Sequence, residues 1–452
     1  MIHQQENDDF CSHIWTKTIK GTRQGTQKVG LEMEMYAYDA QNFSPLGTKN
    51  CALQLQDFLK RIASASPHCK IKYDQKNQLI TDLFLQEGGS ISIEPGGQIE
   101  FSSAPWEKFS DLITNVTHGL SLIESAANGQ LIFLSHGTNP VAQPDHPLVL
   151  PKERYQIMTR YFEGAPHIRG LDMMRHTATV QANLDIFGNE HWQDAVHLVL
   201  ALFPFTKNLF ANSCYFKGKR SLFFSERQEI WNRMDPSRSG IPTHMAFSQN
   251  PECAYADWAT KAFVFYIEGL SLPEQPAYEE LTFGNWHAQG YRGIFPNISH
   301  WETHLGTLFP HLRLRDFLEI RHIDAQPYAQ TLAPVAFFAA LTMNAKVRKK
   351  VWMLLKKQVG DVVSFLENHE KNSASQDASC MTQDPAFFFE LLDTATEVLR
   401  HRKENQASAA VAAYKDFFAT KQSYWEAQSA IDFLKSHHTH SPCAEFHTHL
   451  GP

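Results

Sequence analysis

Polar and apolar residues alternate with a period of two through Ser90-Ile-Ser-Ile-Glu94. Beyond Pro95-Gly96-Gly97 the alternation resumes through Gln98-Ile-Glu-Phe-Ser102. This spacing predicts two strands joined by a turn. Ser90, Ser92 and Glu94 share one face, Gln98, Glu100 and Ser102 share one face, and Ile91, Ile93, Ile99 and Phe101 lie opposite. A hairpin with one wet side would account for this pair alone, since half-buried antiparallel strands turn polar residues to water. Three distant segments repeat the pattern, which argues for something larger. Glu32 and Glu34 alternate with Leu31, Met33 and Met35. Thr177, Thr179, Gln181, Asn183 and Asp185 alternate with Ala178, Val180, Ala182 and Leu184. Glu319 and Arg321 flank Ile320. Together the four segments predict one sheet with a polar working surface.

The rest of the chain reads as helices around that sheet. A polar lead-in with a short helix covers residues 1–28, the first strand covers about 29–38, and Cys51 to Lys60 has a helical pattern. From Trp106 to about Ala127, Phe109, Leu112, Ile113, Val116, Leu120 and Ile123 recur at three- and four-residue intervals, the stripe of an amphipathic helix. A strand over Gln130–Ser135 follows, and then a proline-rich loop from His136 to Pro151. Pro151 begins a helix, and Trp192 to Cys214 reads as a mostly apolar one. Arg220, Arg233, Arg238 and Gly240 fall in a polar loop, and the aromatics of 254–269 suit a strand or core. Residues from about 330 to 435 read as helices packed on the outside of the sheet, broken by a polar insert at 369–379.

Segments near 30, 94, 181 and 319 can share one site only if most of the chain is a single interleaved unit. The expected division is therefore one catalytic domain over 1–435, with sheet motifs at 29–330 and a mainly helical part at 331–435. A loose histidine-rich tail over 436–452 follows. Composition narrows the function: a formal net charge of -7 gives no basic field for nucleic acid, and the 43% hydrophobic content is that of a globular protein. No apolar run is long enough to span a membrane and no leader is visible at the start, so a soluble, cytoplasmic protein is expected. The 7 cysteines contain no CxxC pair and read as reduced thiols. Clustered carboxylates repel one another unless cations neutralise them, and such hard oxygen donors suit magnesium shared with substrate phosphates.

Glu94-Pro-Gly-Gly-Gln-Ile-Glu100, Leu171-Asp-Met-Met174, Thr179-Val-Gln-Ala-Asn-Leu-Asp185, Leu209-Phe-Ala-Asn-Ser213, Trp301-Glu-Thr-His304 and Leu318-Glu-Ile-Arg321 occur in that order. In order and spacing they resemble the plant- and proteobacterial-type glutamate–cysteine ligases, relatives of glutamine synthetase among carboxylate–amine ligases. The resemblance runs from about Val29 to Gln330. It implies an α+β fold, a glutamine synthetase-like curved, mainly antiparallel sheet with a polar active-site face and helices outside. It also implies an ATP-dependent reaction in which the γ-carboxylate of glutamate is phosphorylated and an amine, cysteine foremost, displaces phosphate.

By the same resemblance Glu32, Glu34, Glu94, Glu100 and Glu319, with Gln181, are candidates to hold two or three magnesium ions. Arg321, together with Glu94 and Glu100, is the catalytic candidate, and Arg321 would contact the transferring phosphate. Arg238 matches the position that binds the glutamate α-carboxylate, Trp231 would pack on the substrate, and Arg220 would reach phosphate or substrate. Gly88 and Gly89, in a glycine-rich stretch that is no GxxxxGK[ST] loop, would let backbone approach the nucleotide.

Two departures bear on the amine. The family commonly has arginine before the threonine of the third strand, where this chain has Arg175-His176, and the stretch after Arg321 lacks the glycines of the plant pattern. A ligase for a different amine or protein acceptor, and a relative that binds nucleotide or glutamate without turnover, are the alternatives. Oligomeric state is not legible. The C-terminal histidines, His437-His-Thr-His440 and His447-Thr-His449, read as an adventitious cluster.

Overall fold

The structure is a computed structural model and describes His13 and residues 26–46, 52–74, 78–141, 152–241, 245–246, 248–372, 385–424 and 429–450. The expected lead-in helix, apart from His13, and most of the polar insert and the proline-rich loop lie outside these residues.

Nine strands form one sheet among the described residues. They are β1 (Val29–Asp39), β2 (Lys70–Tyr73), β3 (Ile80–Phe84), β4 (Ser90–Ile93), β5 (Ile99–Ser102), β6 (Leu131–Leu134), β7 (Val180–Leu184), β8 (Leu312–Leu314) and β9 (Leu318–Ile320). Their order is β8-β9-β7-β1-β5-β4-β3-β2, with β6 paired to the far half of β1. Each pairing is antiparallel. The expected α+β fold with a mainly antiparallel sheet is thus present. Alternation decides which side faces the core: Leu31, Met33, Met35, Ile91, Ile93, Ile99 and Phe101 are all fully buried, whereas Glu32, Glu34, Glu94 and Glu100 are half-buried on the other side.

Helices cover the apolar face. The chain supplies α1 (Ala52–Ala65) and α2 (Phe109–Ala127), and α2 buries Leu112, Val116, Leu120 and Ile123. Gly119 of α2 lies so close to the sheet that a Cβ there would stand 2.2 Å from Phe101 Cε2. Then come α3 (Glu153–Glu163), α4 (Gly170–His176), α5 (Asn189–Leu209) and α6 (Glu226–Asn232), followed after the sheet by α7 (Leu332–Thr342), α8 (Pro385–His401) and α9 (Asn405–Tyr424).

Several expectations are corrected. The C-terminal helical part packs on the outside of the sheet as expected, but in two layers: α7 lies against β1 and β7, and α8 and α9 cover it so that every one of its residues is buried. That all-round apolar sequence, Leu332-Ala-Pro-Val-Ala-Phe-Phe-Ala-Ala-Leu-Thr342, leaves the helix no wet face. The expected loop around Arg233 contains α6, and the aromatics of 254–269 begin in a helix, Pro251–Lys261, opened by proline in its first turn. The histidine-rich tail is not loose: α10 (Ala430–His437) and α11 (Pro442–Phe446) pack back, Thr439 bridges Phe133, and His437 stacks on Phe433 at 4.3 Å. Cys69, Cys214 and Cys443 are free thiols, but Cys253 is disulfide-bonded, an outcome that spacing alone does not encode. Among the described residues no helix is long and apolar enough to cross a membrane.

The Pro95-Gly96-Gly97 turn is pressed against the end of α4: a Cβ on Gly96 would stand 2.0 Å from the Arg175 carbonyl oxygen. Gly96→Ala is therefore expected to lower stability by about 2 kcal/mol or more, a backbone clash that no rotamer relieves. Chemical denaturation checks it, and an unchanged midpoint would show that the turn does not abut α4.

Candidate active site

Register sets the polar face in rows. Asp82, Ser92, Glu100 and Glu34 are successive cross-strand neighbours, as are Ser90, Ser102, Glu32 and Gln181. A third row joins Gly30, Asn183, Glu319 and Arg313. Cross-strand neighbours stand about 5 Å apart, so the carboxylates interact directly. Glu94 follows β4 in the turn, where its N–H donates to Gln98 O at 2.9 Å and its carbonyl accepts from Gly97 N–H at 2.9 Å.

Charge along this face is uneven. At one end the Glu319 carboxylate accepts from Arg313 Nη1 at 3.0 Å, from Arg315 Nε at 2.7 Å and from Arg321. Burial would raise its pKa, but Arg313, Arg321 and Arg315 together outweigh that and hold it at about 2. Burial in turn brings Arg313 down to about 10. At the other end the acids lack such partners. Burial, then the charge of Glu94, pushes Glu34 up to about 8, even though Thr179 N–H donates to it at 3.0 Å. Glu100 rises well above the usual range through burial and the charges of Glu94, Glu32 and Glu34, with, among the described residues, the Ser92 and Ser102 hydroxyls donating, each at 3.2 Å. Burial and Glu319 raise Glu32, which accepts from Asn183 Nδ2 at 2.8 Å.

Part of this face forms the floor of a half-open cleft with a cavity volume of about 100 Å³. Glu34, Glu94, Gln98, Arg154, Arg227 and Arg321 are among its polar lining, and Met158, Met173, Met174, Trp231, Phe265 and Phe309 among its apolar wall. Arg321 is steered by Gln181, whose Oε1 accepts from Nη1 at 2.8 Å. Arg227 is steered by buried Asp324. That carboxylate accepts from Asn212 N–H at 2.7 Å, Ser213 Oγ at 2.6 Å and Ser225 Oγ at 3.0 Å, and lies 3.9 Å from Arg227 Nη1. Ser225 caps α6, accepting from Gln228 N–H at 3.0 Å. Arg227 then donates to Arg321 O at 2.9 Å and lies over the Trp231 ring at 5.3 Å.

The fold thus gathers Glu32, Glu34, Glu94, Glu100, Gln181, Trp231, Glu319 and Arg321. Other candidates stand elsewhere. Arg238 is fully buried behind the cleft. Its Nε donates to Asp235 at 2.8 Å, Nη1 to Thr307 O at 3.2 Å, and Nη2 to Phe263 O at 2.6 Å and Tyr161 Oη at 3.1 Å. A side chain so fully engaged braces the wall rather than reaching the cleft. Arg220 is exposed on the short hairpin of Tyr215–Phe216 and Lys219–Arg220, beside a separate surface hollow. Arg175 and His176 end helix α4 instead of beginning a strand, and His176 is buried edge-on to Phe216 at 5.9 Å. Gly88 and Gly89 adopt φ of 91° and 88° in the β3–β4 turn, and a Cβ on Gly89 would meet Ser102 O at 2.5 Å. Turn geometry accounts for both glycines.

Arg227, Asp82, Asp324 and Arg313 were not foreseen. For Arg227 a signal existed: Ser225-x-x-Gln228 has helix-capping spacing, and Arg227 and Trp231 are four residues apart on the helix it starts.

A sequence profile described as glutamate-cysteine ligase family 2 matches residues 28–417. The chain belongs to this family. It is 31% identical over 328 residues to the chloroplastic glutamate–cysteine ligase A of Oryza sativa subsp. indica, covering 70% of this chain and 62% of the relative. It is 30% identical over 327 residues to the chloroplastic glutamate–cysteine ligase of Arabidopsis thaliana, covering 70% and 59%. The chain therefore spans about three fifths of the length of these curated relatives. A crystal structure of glutamate–cysteine ligase from Francisella tularensis in complex with AMP superposes with a TM-score of 0.47 at 10% identity, covering 94% of this chain and 89% of that one.

The donor set of this family member suits a hard divalent cation in kind, because burial, then the neighbouring acids, holds Glu32, Glu34 and Glu100 above the usual carboxylate range. Among the described residues no three His, Cys, Asp or Glu side chains already converge as a metal cage. Such a cation would draw the acids together and complete its shell from phosphate and water.

Because the folded chain raises Glu34 from 4.5 to about 8, the stability tied to its protonated form is full below pH 4.5 and is lost as pH rises through about 8. Glu34→Gln is expected to leave Tm nearly unchanged at about pH 5 and to raise it above wild type at about pH 9, with magnesium narrowing that gap. Thermal melts with and without magnesium check this, and a pH-independent difference would contradict it.

Proposed function

We propose that this chain is an ATP- and magnesium-dependent ligase that forms γ-glutamylcysteine from glutamate and cysteine, the first step of glutathione synthesis, through γ-glutamyl phosphate. One observation carries the reading: a single sheet face presents unneutralised carboxylates at one end and Arg321, backed by Arg313 and Arg315, at the other. Phosphoryl transfer needs that pairing of cation holders and fixed positive charge.

Glu32, Glu34, Glu94 and Glu100, with Gln181 and Glu319, would hold the magnesium ions, two or three in number. Bound there, magnesium would neutralise phosphate charge. Arg321 is a planar, permanently charged donor, and Glu319 and Gln181 leave its remaining N–H groups to meet phosphate oxygens as negative charge grows there. Arg227 adds a second guanidinium at the same wall. The apolar side of the cleft keeps water from competing with the amine. His176 does not line this cleft, although Met174 and Thr177 beside it do.

Phosphate release that requires glutamate, cysteine, ATP and magnesium together is the expected result, and none above background would refute the reading. Glu94→Gln should abolish product while the thermal melt stays cooperative. Arg321→Lys, which loses the planar fork, should lower kcat by roughly a hundredfold to a thousandfold.

A further inference from the structure

The hollow beside Arg220 has no part in the chemistry above. Its volume, about 410 Å³, is several times that of the cleft, and the two linings share no residue. Five cationic side chains line it against two acids, Glu226 and Glu229, on a chain whose formal net charge is -7. Three of the five are already engaged. Arg169 donates through Nε to Asp172 at 3.0 Å and through Nη1 to Glu226 at 2.6 Å, and Lys217 Nζ donates to Asp172 at 2.7 Å. Arg233 Nε donates to Glu229 at 2.5 Å. Lys219 and Arg220 are exposed and pair with no acid among the described residues.

These two cations stand on a backbone that is held firmly. Lys217 and Gly218 adopt φ of 45° and 82°, the two-residue turn whose twist matches that of its flanking strands. Lys217 N–H donates to Asn139 O at 3.1 Å and Gly218 N–H to Pro140 O at 2.7 Å, while Tyr215 stacks on Phe433 at 4.8 Å. Side chains on a fixed backbone lose less freedom when a ligand orders them. The Phe216 ring, with Arg169 Cζ at 5.1 Å and Lys217 Nζ at 5.3 Å from its centroid, and Leu222, 83% exposed, add apolar lining. Apolar surface beside unpaired cations suits an anion with a carbon skeleton.

Two helices present one side to the hollow and another to the cleft. On α6, Glu226 and Glu229, with Arg233 just beyond its end, recur at helical spacing and line the hollow, whereas Arg227 and Trp231 line the cleft. Arg169 precedes α4, whose Met173 and Met174 line the cleft, and its N–H donates to Arg233 O at 2.8 Å, joining the start of α4 to the end of α6. The hairpin side of the hollow is tied to the start of α6, where Ser221 Oγ donates to Glu226 at 2.5 Å. Among the described residues no ion pair ties it to the end of α6, and the Arg233 side chain there is 62% exposed.

We propose that this hollow is an effector site for a small organic polyanion, one carrying two or more carboxylate or phosphate groups. Bound between Lys219, Arg220 and Arg233, the polyanion bridges the hairpin to the end of α6. Arg227 and Trp231 are thereby restrained before nucleotide arrives, which lowers the ordering cost of binding it. The site goes beyond the ligase reading and uses it only for one readout.

Calorimetric titration of metal-free protein with tricarballylate and with fructose 1,6-bisphosphate tests the site, and the tighter of the two shows whether carboxylates or phosphates are preferred. One-to-one binding that weakens with added salt is expected. Lys219→Glu and Arg220→Glu should each weaken it roughly tenfold, the loss of a charge-assisted hydrogen bond, and Arg321→Lys less than about twofold. At constant free magnesium, the tighter probe should lower KM for ATP roughly twofold to fivefold in wild-type protein and leave it unmoved in Lys219→Glu. Without probe, kcat and KM of Lys219→Glu should stay within about twofold of wild type. By linkage, magnesium–ATP should tighten probe binding by the same factor, a readout that needs no turnover. Binding that survives both hairpin variants and fails in Arg321→Lys would overturn the proposal by placing the anion in the cleft. No binding of either probe would overturn it, as would binding that moves neither KM nor probe affinity, the mark of an adventitious ion only. Wild-type protein that shows the linkage yet releases no phosphate would refute the ligase reading and leave the effector site standing.

Discussion

The register of β1 is the constraint on which the rest depends. This strand pairs with β5 through Glu32↔Ser102 and Glu34↔Glu100, and with β7 through Glu32↔Gln181. A slip of one residue against either neighbour would turn every side chain of the shifted strand to the other face. Glu32 and Glu34 would then enter the apolar core, and Leu31, Met33 and Met35 would enter the cleft. The fully buried methionines and leucine hold the register from beneath, so the core and the polar face are specified by the same alternation.

A second set of contacts fixes the arginines above that face. Asp324 gathers the segment after α5, the cap of α6 and Arg227, and it is itself held from the C-terminal half. Gln326 Nε2 donates to Asp324 O at 2.9 Å and to Phe210 O at 2.7 Å, and its Oε1 accepts from Tyr414 Oη of α9 at 2.9 Å. The buried Lys421 Nζ, whose pKa burial lowers to about 7, donates to Leu209 O at 2.8 Å. A helix distant in sequence is therefore tied by hydrogen bonds to Asp324, whose carboxylate stands 3.9 Å from the Arg227 guanidinium in the cleft. Such buried networks fix one geometry because each unpaired member would be penalised.

The sheet was legible because its signal is local: period two survives in a single sequence, and each acid declares its face through its neighbours. The gathering of Glu34, Glu94 and Arg321 followed from that alternation. What escaped notice depended on contacts between segments. Arg238 and Arg321 are the same residue type, and only the proximity of Asp235, Tyr161 and two backbone carbonyls shows that the first is consumed inside the wall. Arg175 and His176 stand just before the alternation that begins at Thr177, and nothing local in the sequence shows that they finish a helix. Glu319 was legible as an acid on the face. Its three arginine partners became visible only once the β8–β9 hairpin brought Arg313 and Arg315 beside it.

The unequal charge of the floor also sets the condition under which a polyphosphate can settle there. Buried carboxylates held above their usual range keep their protons until a cation takes their place, so a bare nucleotide tail would find no counter-charge there. The same surface attracts a cation carrying the nucleotide with it. Among the described residues Arg321, Arg227 and Arg154 are the cleft groups that would offer an unescorted phosphate positive charge. Under the proposed reaction the floor would therefore act as a filter on the form of its ligand, admitting the electrically compensated complex and turning away the naked anion.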